Sequence, residues 1–180
     1  EILIAAPAAR ALGAHEVVLV SPYLAYMRQD MAFHPGEAVS QRHIAGLLSR
    51  CVDALVTVDP HLHRIASLDE VMPGCRTRAV SAASLLGEWV SRQVPRPLLL
   101  GPDEESAQWV GEAGRVHGIE HAVCRKQRFG DHDVRVVLPA VDLAGRNVVL
   151  MDDVASTGRT LIEACTASLV AGAATVDVAV

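Results

Sequence analysis

Short runs in this chain are apolar on almost every residue. The clearest are Val17-Val18-Leu19-Val20, Ala54 to Val58, Leu98-Leu99-Leu100 and Val148-Val149-Leu150-Met151. A strand with one wet face alternates apolar and polar residues; an unbroken run needs cover on both faces. Between these runs lie longer stretches with helical spacing, several stopped by glycine at Gly13, Gly118 and Gly172. The pattern predicts strands at Glu16–Ser21, Ala54–Val58, Thr77–Val80, Pro97–Leu100, Ile119–Cys124, Val134–Leu138, Asn147–Met151 and Ala174–Val180. It predicts helices at Glu1–Gly13, Ala38–Cys51, from a Ser81 cap to Gln93, Glu104–His117 and Arg159–Ala171. Pro22–Gly36 and Arg125–Asp133 read as polar loops. Strands alternating with helices imply an α/β fold whose parallel sheets are flanked by helices. Both halves repeat helix, strand, polar loop and helix. The segment Ala66–Arg78, with Pro73-Gly74, is the expected crossing. This gives one domain over 1–72 and a second over 73–180.

Composition narrows the partners. The 180 residues are 51% hydrophobic and only 3% aromatic, so Ala, Val and Leu must fill the core. A net charge of −5 argues against nucleic acid or an anionic membrane as the main partner. An anionic substrate would need locally placed cations. The four cysteines are scattered without a CxxC, which fits small core residues in a reducing compartment. No apolar run reaches membrane-spanning length, and no signal-peptide pattern is present. The chain opens in a helix-like stretch and closes in a strand-like one, so it reads as an excerpt.

Polar residues cluster just after three strands: at Asp59–His61, Asp103–Glu105 and Asp152–Thr160. Ligands of open α/β sheets bind beyond the carboxyl ends of strands. The last cluster is the richest. The strand ends in Asp152 and Asp153, a small loop carries Ser156, Thr157 and Gly158, and a helix follows through Arg159 and Thr160. The carboxylates suit vicinal sugar hydroxyls or a Mg²⁺. The small loop and the positive helix N-terminus suit a phosphate. Together they suit a ribose 5-phosphate. The plain alternative is a strand-to-helix turn with Asp and Ser as caps, but a cap needs only one such residue.

This segment resembles the phosphoribosyl-pyrophosphate (PRPP) loop of type I phosphoribosyltransferases and ribose-phosphate pyrophosphokinases. Other segments resemble the pyrophosphokinases in order and approximate spacing. Pro22-Tyr23-Leu24-Ala25-Tyr26-Met27-Arg28-Gln29-Asp30 is similar to the family's Pro-Tyr-x-x-Tyr-x-Arg-Gln-Asp. Phe33-His34-Pro35-Gly36-Glu37-Ala38-Val39-Ser40 is closest to its archaeal-type branch. Val58-Asp59-Pro60-His61, Pro102-Asp103 and Lys126-Gln127-Arg128 also match family motifs.

The resemblance implies two similar phosphoribosyltransferase-like domains. It implies transfer of the pyrophosphoryl group of Mg-ATP to the 1-hydroxyl of ribose 5-phosphate, giving PRPP and AMP, in a cytoplasmic homo-oligomer with Mg²⁺ as cofactor. By the same resemblance Arg28 and Gln29 hold ATP, and His61 and Asp103 organise the metal. Lys126 and Arg128 act with His61 in catalysis. Arg128, Asp152, Asp153, Ser156, Thr157, Gly158, Arg159 and Thr160 hold the sugar phosphate. The family's first strand-rich segment and its C-terminal tail have no counterpart in the chain. Glu104 and Glu105 stand where the family tends to carry His, Lys or small residues. Two such acids either repel phosphate or lie outward on the first helical turn. A catalytically weak regulatory paralogue, or a phosphoribosyltransferase acting on a base, are the other readings.

Overall fold

In the computed structural model, residues 1–32, 34–128 and 134–180 are described, with the backbone alone at Arg128, Val134 and Arg135. The chain forms two compact units, Glu1–Ser81 and Ala82–Val180.

The first unit holds α1 (Ile2–Ala11), β1 (Val18–Ser21), α2 (Ser40–Leu48), β2 (Ala54–Val58) and β3 (Arg76–Val80). Its sheet has the order β1-β2-β3 and is wholly parallel. Leu55 is fully buried on the central strand, among Met27, Ala45, Leu68 and Met72. The sequence placed the crossing between residues 72 and 73. The structure keeps residues 73–81 with the first unit, because β3 pairs along its whole length with β2. That strand reads Arg-Thr-Arg-Ala-Val and is largely exposed, so its apolar signal is faint.

The second unit holds α3 (Ala83–Gln93), β4 (Pro97–Gly101), α4 (Ala107–His117), β5 (Glu120–Val123), β6 (Arg125–Arg128), β7 (Val134–Val137), β8 (Asn147–Met151), α5 (Arg159–Val170) and β9 (Thr175–Ala179). Four of its strands form a parallel sheet, β5-β4-β8-β9. Successive residues of the two central strands bury on opposite faces. Leu99, Val149 and Met151 pack with Val90, Trp109 and Val110 of α3 and α4. Leu98, Leu100, Val148 and Leu150 pack with Leu161 and Ala164 of α5. In this sheet the unbroken apolar runs reflect cover on both sides, whereas on β1 Val18 and Val20 stay exposed, against the expectation from their sequence.

Three local expectations are corrected. Arg125–Arg128 is a strand, paired antiparallel with β7, where a polar loop was expected. The two form a separate two-stranded ribbon; the valines of β7 mark it as a strand in the sequence, whereas the all-polar β6 carries no apolar alternation. Ala82, not Ser81, holds the cap position of α3. The expected helix at Glu104 begins instead as a 3₁₀ turn, Glu104–Ser106, and becomes α4 at Ala107.

Among the described residues, no helix is long and apolar enough to cross a membrane. Leu150 is fully buried, so Leu150→Ala is expected to cost about 2–5 kcal/mol through lost burial and the cavity left behind. Both tryptophans, Trp89 and Trp109, lie in the second unit. Urea unfolding followed by intrinsic fluorescence checks the loss there.

Candidate functional site

The register of β4 against β8 sets Leu100 beside Leu150, so both strands end side by side. Each strand runs on into polar residues. After β4 comes Gly101-Pro102-Asp103, and after β8 comes Asp152-Asp153. Asp103 is buried and turns back on its own loop. Its Oδ1 accepts from the Glu105 N–H at 3.0 Å, and its carbonyl accepts from Ser106 Oγ at 2.6 Å. A Cβ at Gly101 would run into that serine hydroxyl, so the tight loop depends on glycine there. Lys126 Nζ meets Asp103 Oδ2 at 2.5 Å. This ion pair joins the ribbon to the strand-end carboxylates. Cys124, just before the ribbon, is buried; burial and then the Asp103 charge push its thiol up to about 12, so it is a packing residue rather than a nucleophile.

Asp152 and Asp153 are both half-buried. The Asp153 N–H donates to Asp152 Oδ1 at 3.0 Å, and the Asp152 N–H donates to the Ala179 carbonyl at 3.3 Å. Burial first, then the charge of Asp153 and more weakly that of Asp103, push the Asp152 carboxyl up to about 7. These carboxylates thus share one electrostatic site.

The loop from Ala155 to Thr157 is exposed. Gly158 then takes a left-handed conformation, φ 73°, at the start of α5, and no side-chain cap bond comes from that position. Thr157 Oγ1 accepts from the Arg159 N–H at 3.4 Å. Ser156 and Thr160 flank this entry. The helix thus begins with small polar side chains and backbone amides at its positive end. Arg159 is engaged elsewhere: its Nε contacts Glu163 Oε1 at 3.0 Å along the helix surface. The Arg128 backbone closes β6, and its side chain lies outside the described residues, as does Phe33 of the archaeal-type segment.

In the first unit, Arg28 is exposed and Gln29 half-buried, between two buried anchors, Met27 and Asp30. The Gln41 side chain, itself buried, donates to the Met27 carbonyl at 3.2 Å, while its N–H donates to the Gln29 carbonyl at 3.2 Å. Gln29 Nε2 donates to the Met31 carbonyl at 3.1 Å. Asp30 Oδ1 takes Arg64 at 2.6 Å, which ties this loop to the one bearing His61. Asp59, left-handed at φ 37°, donates its N–H to the Val80 carbonyl at 2.9 Å and turns the chain out of β2 towards His61. The His61 and His63 rings stand edge to face at 3.8 Å, with Nδ1 of the first 3.2 Å from Nε2 of the second.

The structure thus brings Asp103, Lys126, Asp152 and Asp153 together in the second unit, with Ser156 to Thr160 on the continuing loop. Arg28, Gln29 and His61 stand on neighbouring loops of the first. Sequence reasoning missed the Asp30–Arg64 tie, the His63 ring against His61 and the partners of Glu104. Only Asp30 carried a signal, as the third residue of Arg-Gln-Asp.

A parallel sheet with acids and a small-residue phosphate loop beyond its strand ends defines a protein of the phosphoribosyl transferase class. Residues 81–180 match the family described as phosphoribosyl transferase domain, and residues 1–51 match the N-terminal domain of ribose phosphate pyrophosphokinase. The chain belongs to the phosphoribosyl transferase domain family, and along its length it is similar to ribose-phosphate pyrophosphokinases. It is 37% identical over 175 residues to the ribose-phosphate pyrophosphokinase of Methanopyrus kandleri, covering 96% of this chain and 59% of that one. It is 35% identical over 170 residues to the Halobacterium salinarum protein of the same name, covering 93% and 58%. Among solved structures, phosphoribosylpyrophosphate synthetase from Mycobacterium smegmatis superposes with a TM-score of 0.79 at 25% identity, over 98% of this chain and 57% of that one. The chain spans a little over half the length of these relatives.

The raised Asp152 carboxyl carries a pH signature. Its proton is held more tightly folded than unfolded, so folding stability falls as pH rises from the ordinary value of 3.8 to about 7. Asp152→Asn should flatten that fall. Comparing urea midpoints of both proteins at about pH 5 and about pH 8 checks it: the variant should gain on the wild type at the higher pH.

Proposed function

We propose that the chain carries the core of a ribose-phosphate pyrophosphokinase. The 1-hydroxyl oxygen of ribose 5-phosphate attacks the β-phosphorus of ATP, the bond from that phosphorus to the α,β-bridging oxygen breaks, AMP leaves with that oxygen and its electron pair, and the hydroxyl proton passes to solvent. The observation that carries this reading is the meeting of Lys126 with Asp103, beside the Asp152–Asp153 pair, at the head of a small-residue loop entering α5.

Each group has a task in that reaction. Asp152 and Asp153 accept hydrogen bonds from the ribose hydroxyls. Backbone amides and hydroxyls from Ser156 to Thr160 hold the 5-phosphate at the positive end of α5. Arg28 braces the triphosphate, and the Gln29 amide faces the purine or ribose of ATP. Phosphoryl-type transfer asks a protein for position and for cations over charge spread on phosphate oxygens. Lys126, joined by Arg128, supplies the cations. Asp103 and His61 are the residues that would each offer a ligand atom to Mg²⁺, and the ion would supply positive charge against the phosphates.

Glu163, which occupies Arg159, leaves that side chain the weakest of the proposed phosphate contacts. Exposed Leu85 and Trp89 on α3 suit cover by another subunit of a homo-oligomer, and four free cysteines suit a reducing compartment.

Incubation with ATP, Mg²⁺ and ribose 5-phosphate should release AMP. ADP in its place, or no nucleotide product, would overturn the reading. No AMP together with tight nucleotide binding would favour a regulatory paralogue.

Two variants divide the roles. Asp152→Asn should weaken ribose 5-phosphate by about tenfold and ATP much less, the loss expected when a hydrogen bond from a charged group goes. Lys126→Ala should lower kcat by roughly 10²-fold or more with little change in KM, since a cation matched to the transition state acts on turnover. Separate ligand titrations and steady-state kinetics measure these outcomes.

A further inference from the structure

Glu104 has no task in the reaction just described, yet it stands next to Asp103 and is engaged. Among the described residues, strand β6 pairs with β7 alone, and its other edge has no strand neighbour. Glu104 Oε2 accepts the backbone N–H of Lys126 at 3.2 Å. The same short turn thus holds Lys126 twice: Asp103 takes its ammonium at 2.5 Å, and Glu104 takes its main chain. Both contacts lie within the second unit.

We propose that Glu104 is a positioning residue that clamps the root of the β6–β7 ribbon and fixes the backbone from which Lys126 reaches the strand-end carboxylates. This rests on the reading that Lys126 serves the transfer. A carboxylate on a main-chain N–H is a charge-assisted bond, stronger than a neutral one. A two-stranded ribbon is marginal by itself, so an anchor at its root narrows where its side chains point. A lysine has a long flexible stem, and its ammonium is useful to the transition state only where it is held. A misplacement of about 1 Å in such a group can cost about 10²-fold in rate.

A clamp and a repelling charge differ in sign. If Glu104 merely repels phosphate, removing the charge tightens ATP. If it clamps, removing the acceptor lowers turnover, and glutamine, which keeps an Oε acceptor without the charge, recovers much of it.

The test compares wild type, Glu104→Ala and Glu104→Gln in the full-length protein, by steady-state AMP formation and by hydrogen exchange at the Lys126 amide. The expected result is a fall in kcat of about tenfold in Glu104→Ala, with KM for ATP nearly unchanged and a faster Lys126 amide. Glu104→Gln should recover most of the turnover and most of the protection. Wild-type exchange and turnover in Glu104→Ala, or tighter ATP in both variants alike, would overturn the clamp. If the wild type forms no AMP, the pyrophosphokinase reading falls by itself. The exchange comparison then decides the clamp: faster exchange in alanine alone upholds it, and equal exchange in all three proteins rejects it.

Discussion

Burial of β4 and β8 on both faces is the constraint that shapes the second unit. A central pair of strands with leucine, valine and methionine on each side needs helices above and below, and α3, α4 and α5 supply them. With both faces closed, the only open places along these strands are their ends. Asp103 lies beyond the carboxyl end of β4 and the Asp152–Asp153 pair beyond that of β8, side by side because the strands are parallel and in register. Packing therefore decides where the charges gather, and their partial burial does the rest. The same desolvation that lifts the Asp152 carboxyl is what would make a cation or a ribose hydroxyl worth binding there.

Legibility in the sequence tracks this packing. Ala54–Val58 and Asn147–Met151 were readable to the residue, because both are short, mostly apolar runs bounded by polar residues. The ribbon strand Arg125–Arg128 was not, because it is covered by neither layer and its four residues are all polar. The boundary between units slipped for a similar reason: β3 belongs to the first sheet by backbone hydrogen bonds, which leave little mark on side-chain pattern.

The candidate site shows the same division. Strand-end position picked out Asp103, Asp152 and His61, since a polar cluster after an apolar run is a local signal. Pairings between segments were silent: Asp30 with Arg64 and Glu104 with the Lys126 main chain are tertiary facts, and the His61–His63 contact, though local, depends on how the loop turns. The acidic pair at 104–105, alarming as sequence beside a phosphate site, is partly explained by one backbone N–H. Arg159 is the reverse case, a motif residue whose guanidinium the fold gives to Glu163.

The loop after β4 has two kinds of position. Its inner wall is closed: Gly101 has no room for a side chain beside Ser106, and Asp103 is bonded to the turn it begins. Positions 104 and 105 are exposed. Substitution is thereby channelled. The outer pair has room to change size and sign while the buried carboxylate stays in place. The turn can acquire a new contact to the ribbon, as Glu104 has here, without disturbing the group beside it.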